Sequence, residues 1–170
     1  MPRSLAIGAV KLTVVTVAPA NPGALKISTD LATANAKDLS DNILKSSYTL
    51  GSTGADKVNE PSLAATTNSS VPGMSNYNGD MEFFRYLDGT GKSAPAEDLP
   101  FTIFTGKGIR VWLVERKGPP SSTALAVGDI CDVYEVLTDD PRPPKDYASY
   151  LKFGQLFHVQ NVWNRVALAA

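Results

Sequence analysis

Apolar residues in this chain recur mainly at every second position, and the predicted elements follow from that period. Val10–Val17 (VKLTVVTV) is β-branched and bounded by Pro19 and Pro22-Gly23, which predicts a strand. In Ile109–Arg116 (IRVWLVER), Ile109, Val111 and Leu113 fall on one face, and Arg110, Trp112, Val114 and Arg116 on the other. Ile130–Leu137 (ICDVYEVL) sets Cys131, Val133 and Glu135 against Ile130, Asp132, Tyr134 and Val136. Met81–Leu87 (MEFFRYL) is an aromatic-rich strand, Phe101–Thr105 a short one, and Leu39–Leu50 (LSDNILKSSYTL) a further one. In Tyr150–Ala169, Leu151, Phe153, Phe157 and Val159 share a face opposite Lys152, Gly154, Leu156 and His158, which predicts two strands kinked near Gln160–Asn161. Residues 28–37 (STDLATANAK) are the best helix, with Ser28 or Thr29 as cap and alanines inside. About seven or eight strands and one short helix predict an all-β chain, a sandwich or barrel. A length of 170 residues predicts one domain over 1–170.

Gly51–Asp80 (GSTGADKVNEPSLAATTNSSVPGMSNYNGD) breaks this pattern. Its larger apolar residues are only Val58, Leu63, Val71, Met74 and Tyr77. About thirty residues without a core of their own are uncommon inside a compact domain. Two readings stay open: a floppy surface insertion, or a long extended loop that lies on a neighbouring subunit. On the second reading the neighbour supplies the buried surface and those five residues are inter-subunit anchors.

Charge removes one class of function. With 16 basic and 17 acidic residues, the net charge of −1 gives no surplus to neutralise a nucleic-acid backbone. The single cysteine, Cys131, forms no disulfide within the chain and reads as a small buried apolar residue. At the N-terminus the apolar run is short and Lys11 interrupts it, which argues against a signal peptide. Leu12–Leu25 contains Pro19 and Pro22 and is too short to span a bilayer. The expectation is a soluble chain made in a cytoplasm, with no membrane partner.

The chemical motifs are weak. Gly91-Lys92-Ser93 resembles the tail of a phosphate-binding loop, but the first glycine of that pattern is replaced by Tyr86. Pro95 and Pro100 also spoil a following helix. A polar turn is the better reading. The only histidine, His158, lies mid-strand among apolar neighbours, and one Cys with one His does not make a typical zinc site. Glu97-Asp98 and Asp139-Asp140 sit in Pro-containing loops, where carboxylates are ordinarily just solvated. Asp38 and Asp41 lack calcium-loop spacing. The expectation is no enzyme, no cofactor and no metal.

The segments DLSDNILKSSYTLG (38–51), MEFFRYLDGTG (81–91), GIRVWLVERKG (108–118), AVGDICDVYEVLTDDPRP (126–143) and YLKFGQLFHVQNVWNRVALA (150–169) together resemble the major tail tube proteins of siphophages, particularly those of actinobacterial hosts. The resemblance covers most of the chain from residue 38 onward; the first 37 residues match only loosely. It implies a β-sandwich subunit in hexameric rings, stacked into a hollow conduit through which phage DNA is ejected. It implies strands joined across subunits into one inner barrel, and a long loop on the neighbour, for which 51–80 is the candidate. Its implied partners are copies of itself, the tape measure, tail terminator and distal tail proteins, and DNA that passes without specific binding. Its implied location is the virion. The family tends to present acids to the lumen; Asp80, Glu82, Asp132 and Glu135 are the candidates here. Other readings are a tail terminator, completion or capsid decoration protein, and a carbohydrate-binding sandwich using Trp112 and Trp163.

Overall fold

A computed structural model describes residues 8–58, 71–144 and 148–170. The chain is all-β, and among the described residues it forms one seven-stranded antiparallel sheet with one short α-helix. The strands are β1 (Val10–Val15), β2 (Ala36–Asp38), β3 (Thr49–Val58), β4 (Val71–Phe84), β5 (Arg110–Lys117), β6 (Ile130–Thr138) and β7 (Lys152–Ala167), and α1 is Leu99–Ile103. Their order across the sheet is β2-β1-β5-β6-β7-β4-β3.

The central strands bury both faces, which is why β5 reads as an almost continuous apolar run. On the front face Leu12, Val14, Val111, Leu113, Tyr134, Val136, Phe153, Phe157, Met81 and Phe83 form the larger core. Leu39 and Phe104 complete it from outside the sheet. On the back face Val15, Trp112, Val114, Cys131, Val133 and Val166 form a second core, closed by Leu25, Ala36 and Leu168. The two-faced alternation predicted for β5 and β6 is observed.

Residues 39–48 cross the front face from β1 to β4. The Leu39 N–H donates to the Leu12 carbonyl at one end, and the Leu44 N–H to the Glu82 carbonyl at the other. This segment was expected to be a strand. It forms two 3-10 turns, Ser40–Asn42 and Lys45–Ser47, and only Thr49 onward is extended. The cause is local: the Asp38 carboxylate accepts from the Ser40 N–H and hydroxyl, and the Ser47 hydroxyl donates to the Leu44 carbonyl.

Three other expectations are corrected. Residues 28–37 are not a helix but turns leading into β2. The Asp30 carboxylate accepts from the Lys26 N–H and the Asn35 side chain donates to the Thr29 carbonyl, so polar side chains hold turns against a short, marginal helix. The helix appears instead at Leu99–Ile103, overlapping the expected Phe101–Thr105 strand, with Pro100 in its first turn where its missing N–H costs nothing. The expected pair of strands at 150–169 is one 16-residue strand. The register slips between Glu135 and Val136, which face Asn161 and Val159, so a bulge lies at Gln160, where a kink was predicted.

Gly51–Asp80 also differs from an extended loop in isolation. Its two ends are strands, β3 and β4, paired from Thr49↔Asp80 to Val58↔Val71. Two register shifts, between Ser52 and Gly54 and between Ala55 and Lys57, bend the ribbon.

Candidate functional site

Three loops close on themselves and leave little for chemistry. Around Gly91-Lys92-Ser93 the Asp88 carboxylate accepts from the backbone N–H groups of Thr90 and Lys92 at 2.8 and 3.0 Å. The Ser93 hydroxyl donates to Asp98 at 2.6 Å. N–H groups that a phosphate would need are turned onto the chain's own carboxylate, as the turn reading expects. Asp98 is fully buried and also takes the Arg85 guanidinium at 2.9 Å, while Arg85 lies 3.3 Å above the Phe101 ring. The second loop, 118–129, is organised by buried Arg116, which donates to the carbonyls of Pro120, Thr123 and Ala124 and to the Asp129 carboxylate. The third carries Asp139, whose carboxylate accepts from the Asp140 N–H and meets His158 Nε2 at 3.3 Å. Among the described residues no group of three or more His, Cys, Asp or Glu is placed to hold a metal ion.

The remaining residues proposed for a site fall into two sets. Of the anchors, Met74 is 79% exposed. Tyr77 is half-buried against the front core, with its ring edge-on to Tyr134 at 6.4 Å between centroids. Val58 and Val71 are register partners at the end of the described ribbon, and Leu63 lies outside the described residues.

Of the acids, Asp80, Glu82 and Glu135 share the back face, and Asp132 lies on the front. The cross-strand registers fix this: Glu135 pairs with Trp112 of the back core, and Asp132 with Glu115, which continues the Val111, Leu113 side. Each has a neighbour within the chain. Asp80 pairs with Arg142, which reaches over Gly154. Glu135 takes Arg110 at 3.0 Å and the Asn161 amide at 2.7 Å. Asp132 accepts from the Arg165 N–H at 2.9 Å, and Glu82 is buried.

What the fold leaves unfinished is sheet edge. One end of the sheet is β2, only three residues long. The other end is β3, ten residues long. Residues 52–57 of β3 and 72–76 of β4 are exposed, so the distal ribbon rests on nothing else described. A second opening lies inside the sheet. β4 pairs with β7 only from Phe84↔Lys152 to Gly79↔Phe157, then parts from it, while β6 continues along β7 to Ala167. Gly79 sits at the fork: a Cβ there would lie 3.0 Å from that of Phe157. Sequence reasoning missed this second edge, since an unpaired interior strand carries the same alternation as a paired one.

An exposed apolar cluster marks the end of the sheet near the 85–98 loop. Tyr86, Leu87, Phe101, Tyr150 and Leu151 are all more than a third exposed, and Tyr150 packs edge-on to Phe84 at 6.0 Å. The two tryptophans offer no sugar platform: Trp112 is buried and Trp163 is packed on the back core. No described helix is long and apolar enough to cross a membrane. A family model described as Phage tail tube protein matches residues 1–170, the whole chain. No curated protein matches.

Proposed function

The chain belongs to the phage tail tube protein family and is a structural protein of the tail, and we propose that it is the major tube subunit, forming hexameric rings that stack into the conduit for DNA. The observation that carries this reading is the β3–β4 ribbon, exposed over 52–57 and 72–76 and ending in a ten-residue open edge. A two-stranded ribbon is marginal in water, and an open edge is either guarded or used. A neighbouring copy that takes the edge and covers the ribbon removes both costs. Joining sheets in this way around a ring removes the free edges altogether. The single-domain subunit, 1–170, then places 51–80 on a neighbour, with Val58, Leu63, Val71 and Met74 as its apolar contacts and Tyr77 as the hinge-side residue that ties it to its own core.

Of the acids proposed for the lumen, Asp80, Glu82 and Glu135 share a face and Asp132 is on the other; Glu82 and Glu135 are buried within the subunit, which leaves Asp80 as the acid of that face able to reach a lumen. Arg142 pairs with Asp80 and Arg110 with Glu135, so neither acid stands as an unpaired charge. A conduit that must let DNA slide gains from weak phosphate binding. The further partners proposed are the tape measure, terminator and distal tail proteins, and the location is the virion tail. Catalysis has no part in this proposal.

Negative-stain electron microscopy of the concentrated subunit, with and without a tail-initiation complex, tests it. Stacked rings are expected; discrete monomers under both conditions would refute it. A terminator, completion or decoration protein would form one ring or a cap, and would be a minor band in purified particles, whereas a tube subunit is among the most abundant.

A further inference from the structure

We propose that residues 158–167 of β7 form a slot that accepts β3 of a second copy, edge to edge. This rests on the tube reading and specifies its contact.

The slot is framed at both ends. At one end β4 departs after Gly79↔Phe157. At the other, residues 25–27 run alongside the end of β7: Lys26 bridges Ala169, the Ala169 N–H donates to the Leu25 carbonyl, and the Ile27 N–H donates to the Ala169 carbonyl. Between these points β6 fills one side of β7 from His158 to Ala167, and no described strand fills the other. A gap bounded in this way takes an extended segment of limited length.

β3 fits the gap better than any other described edge. It is the outermost strand, ten residues long, and the run 158–167 matches it in length. Neither TLGSTGADKV nor HVQNVWNRVA contains proline, so no position of either strand lacks a backbone N–H. β2, at three residues, is too short to fill it. Facing side chains are small or polar on both sides: Ser52, Thr53 and Lys57 are exposed on β3, and Gln160, Asn161, Asn164 and Arg165 on β7. Main-chain hydrogen bonds would therefore carry the contact, as in strand addition generally. Donor and acceptor are different strands, so the contact is head-to-tail; it propagates, and closes into a ring if the rotation allows.

Paired cysteines test the slot in assembled tubes. In a Cys131→Ala background, one cysteine is placed at 52, 53, 55 or 57 and one at 160, 161, 164 or 165; Thr53 with Lys37 on β2 is the control pair. After oxidation and denaturation, at least one β3–β7 pair should give a ladder of covalent multimers, and the control pair none. Hydrogen exchange on the unsubstituted chain gives a second readout: amides of 158–167 and 50–57 should exchange at least roughly tenfold more slowly in tubes than in free subunits. Tubes that form with no β3–β7 ladder and no added protection at 158–167 would overturn the slot while leaving the tube reading intact. An intrachain crosslink from Asn76→Cys to Gln160→Cys in tubes would also overturn it, by showing that the chain's own β4 fills the gap. Failure to form tubes at all would remove the tube reading, and the slot with it.

Discussion

Arg116 Nη1 lies 2.9 Å from Asp129 Oδ2, with the arginine side chain 1% exposed. The two residues come from separate stretches, GIRVWLVERKG and AVGDICDVYEVL, and the ion pair joins them. The guanidinium also holds the carbonyls of Pro120, Thr123 and Ala124, while the Asp129 carboxylate accepts from the Ala126 N–H. One buried cation thus shapes the whole 118–129 loop between β5 and β6. Arg116→Ala leaves the partly exposed Asp129 carboxylate and three carbonyls without their donor, and should cost about 1–3 kcal/mol. Urea unfolding checks this. Arg116→Lys should recover only part of the loss, because an ammonium does not reproduce the planar fork.

Acid should weaken the fold. Asp129 has its pKa lowered by the Arg116 hydrogen bond first and the Ala126 N–H next, and Asp139 first by the Asp140 N–H, then by His158. At Asp38 burial pushes upward, but the Lys11 and Ser40 hydrogen bonds outweigh it and the net direction is down. A depressed folded pKa gives stability that is complete above the unfolded value, about 3.9, and lost as pH falls through the folded one. Thermal unfolding should therefore be flat from pH 7 to about 5 and fall steeply below about 4. Asp129→Asn should lower stability at pH 7 and flatten the acid limb.

Much of the fold was legible in the residues, and where it was not the reasons are local. β5 and β6 were readable because Val111, Leu113, Tyr134 and Val136 face one core and Trp112, Val114, Cys131 and Val133 the other. The helix at 28–37 was misread because alanine content suggested it, while Asp30 and Asn35 spend their side chains on turns. β3 and the first half of β4 were hidden by their Gly/Ser/Asn content: a ribbon with no core of its own shows no apolar alternation. The candidate acids were found as residues, but the faces they share depended on cross-strand register, which composition does not specify.

The fork at Gly79 is sterically tight. Gly79→Val would press branched carbons on Phe157 and on Leu50 Cδ1, 3.4 Å from an added Cβ. The expected cost is about 1–3 kcal/mol, seen as a lower denaturation midpoint. Gly54→Ala, where nothing lies within 4 Å, carries only the backbone strain of φ +104°.

Lys92 and Asp98 should separate sharply. Lys92→Ala, at an exposed turn, should change neither stability nor any binding of ATP, since the Asp88 carboxylate already occupies the loop N–H groups. Asp98→Ala leaves Arg85 and the Ser93 hydroxyl without their partner and should cost about 3–5 kcal/mol. Calorimetry of both variants, with an ATP titration of Lys92→Ala, decides the point.

Cys131 should resist thiol reagents. Burial in the back core, chiefly, pushes its pKa up to about 12, so almost no thiolate exists near neutral pH. Labelling by a chromogenic disulfide should track global unfolding and be negligible in the native subunit.

The central claim is that this chain completes its sheet and covers its ribbon only with copies of itself. A cryo-electron microscopy map of the tail tube tests it most directly. The account predicts one continuous sheet running from copy to copy around the lumen, with residues 51–80 seated on a neighbouring subunit. A map in which 51–80 projects into solvent and each sheet ends within its own subunit would contradict it.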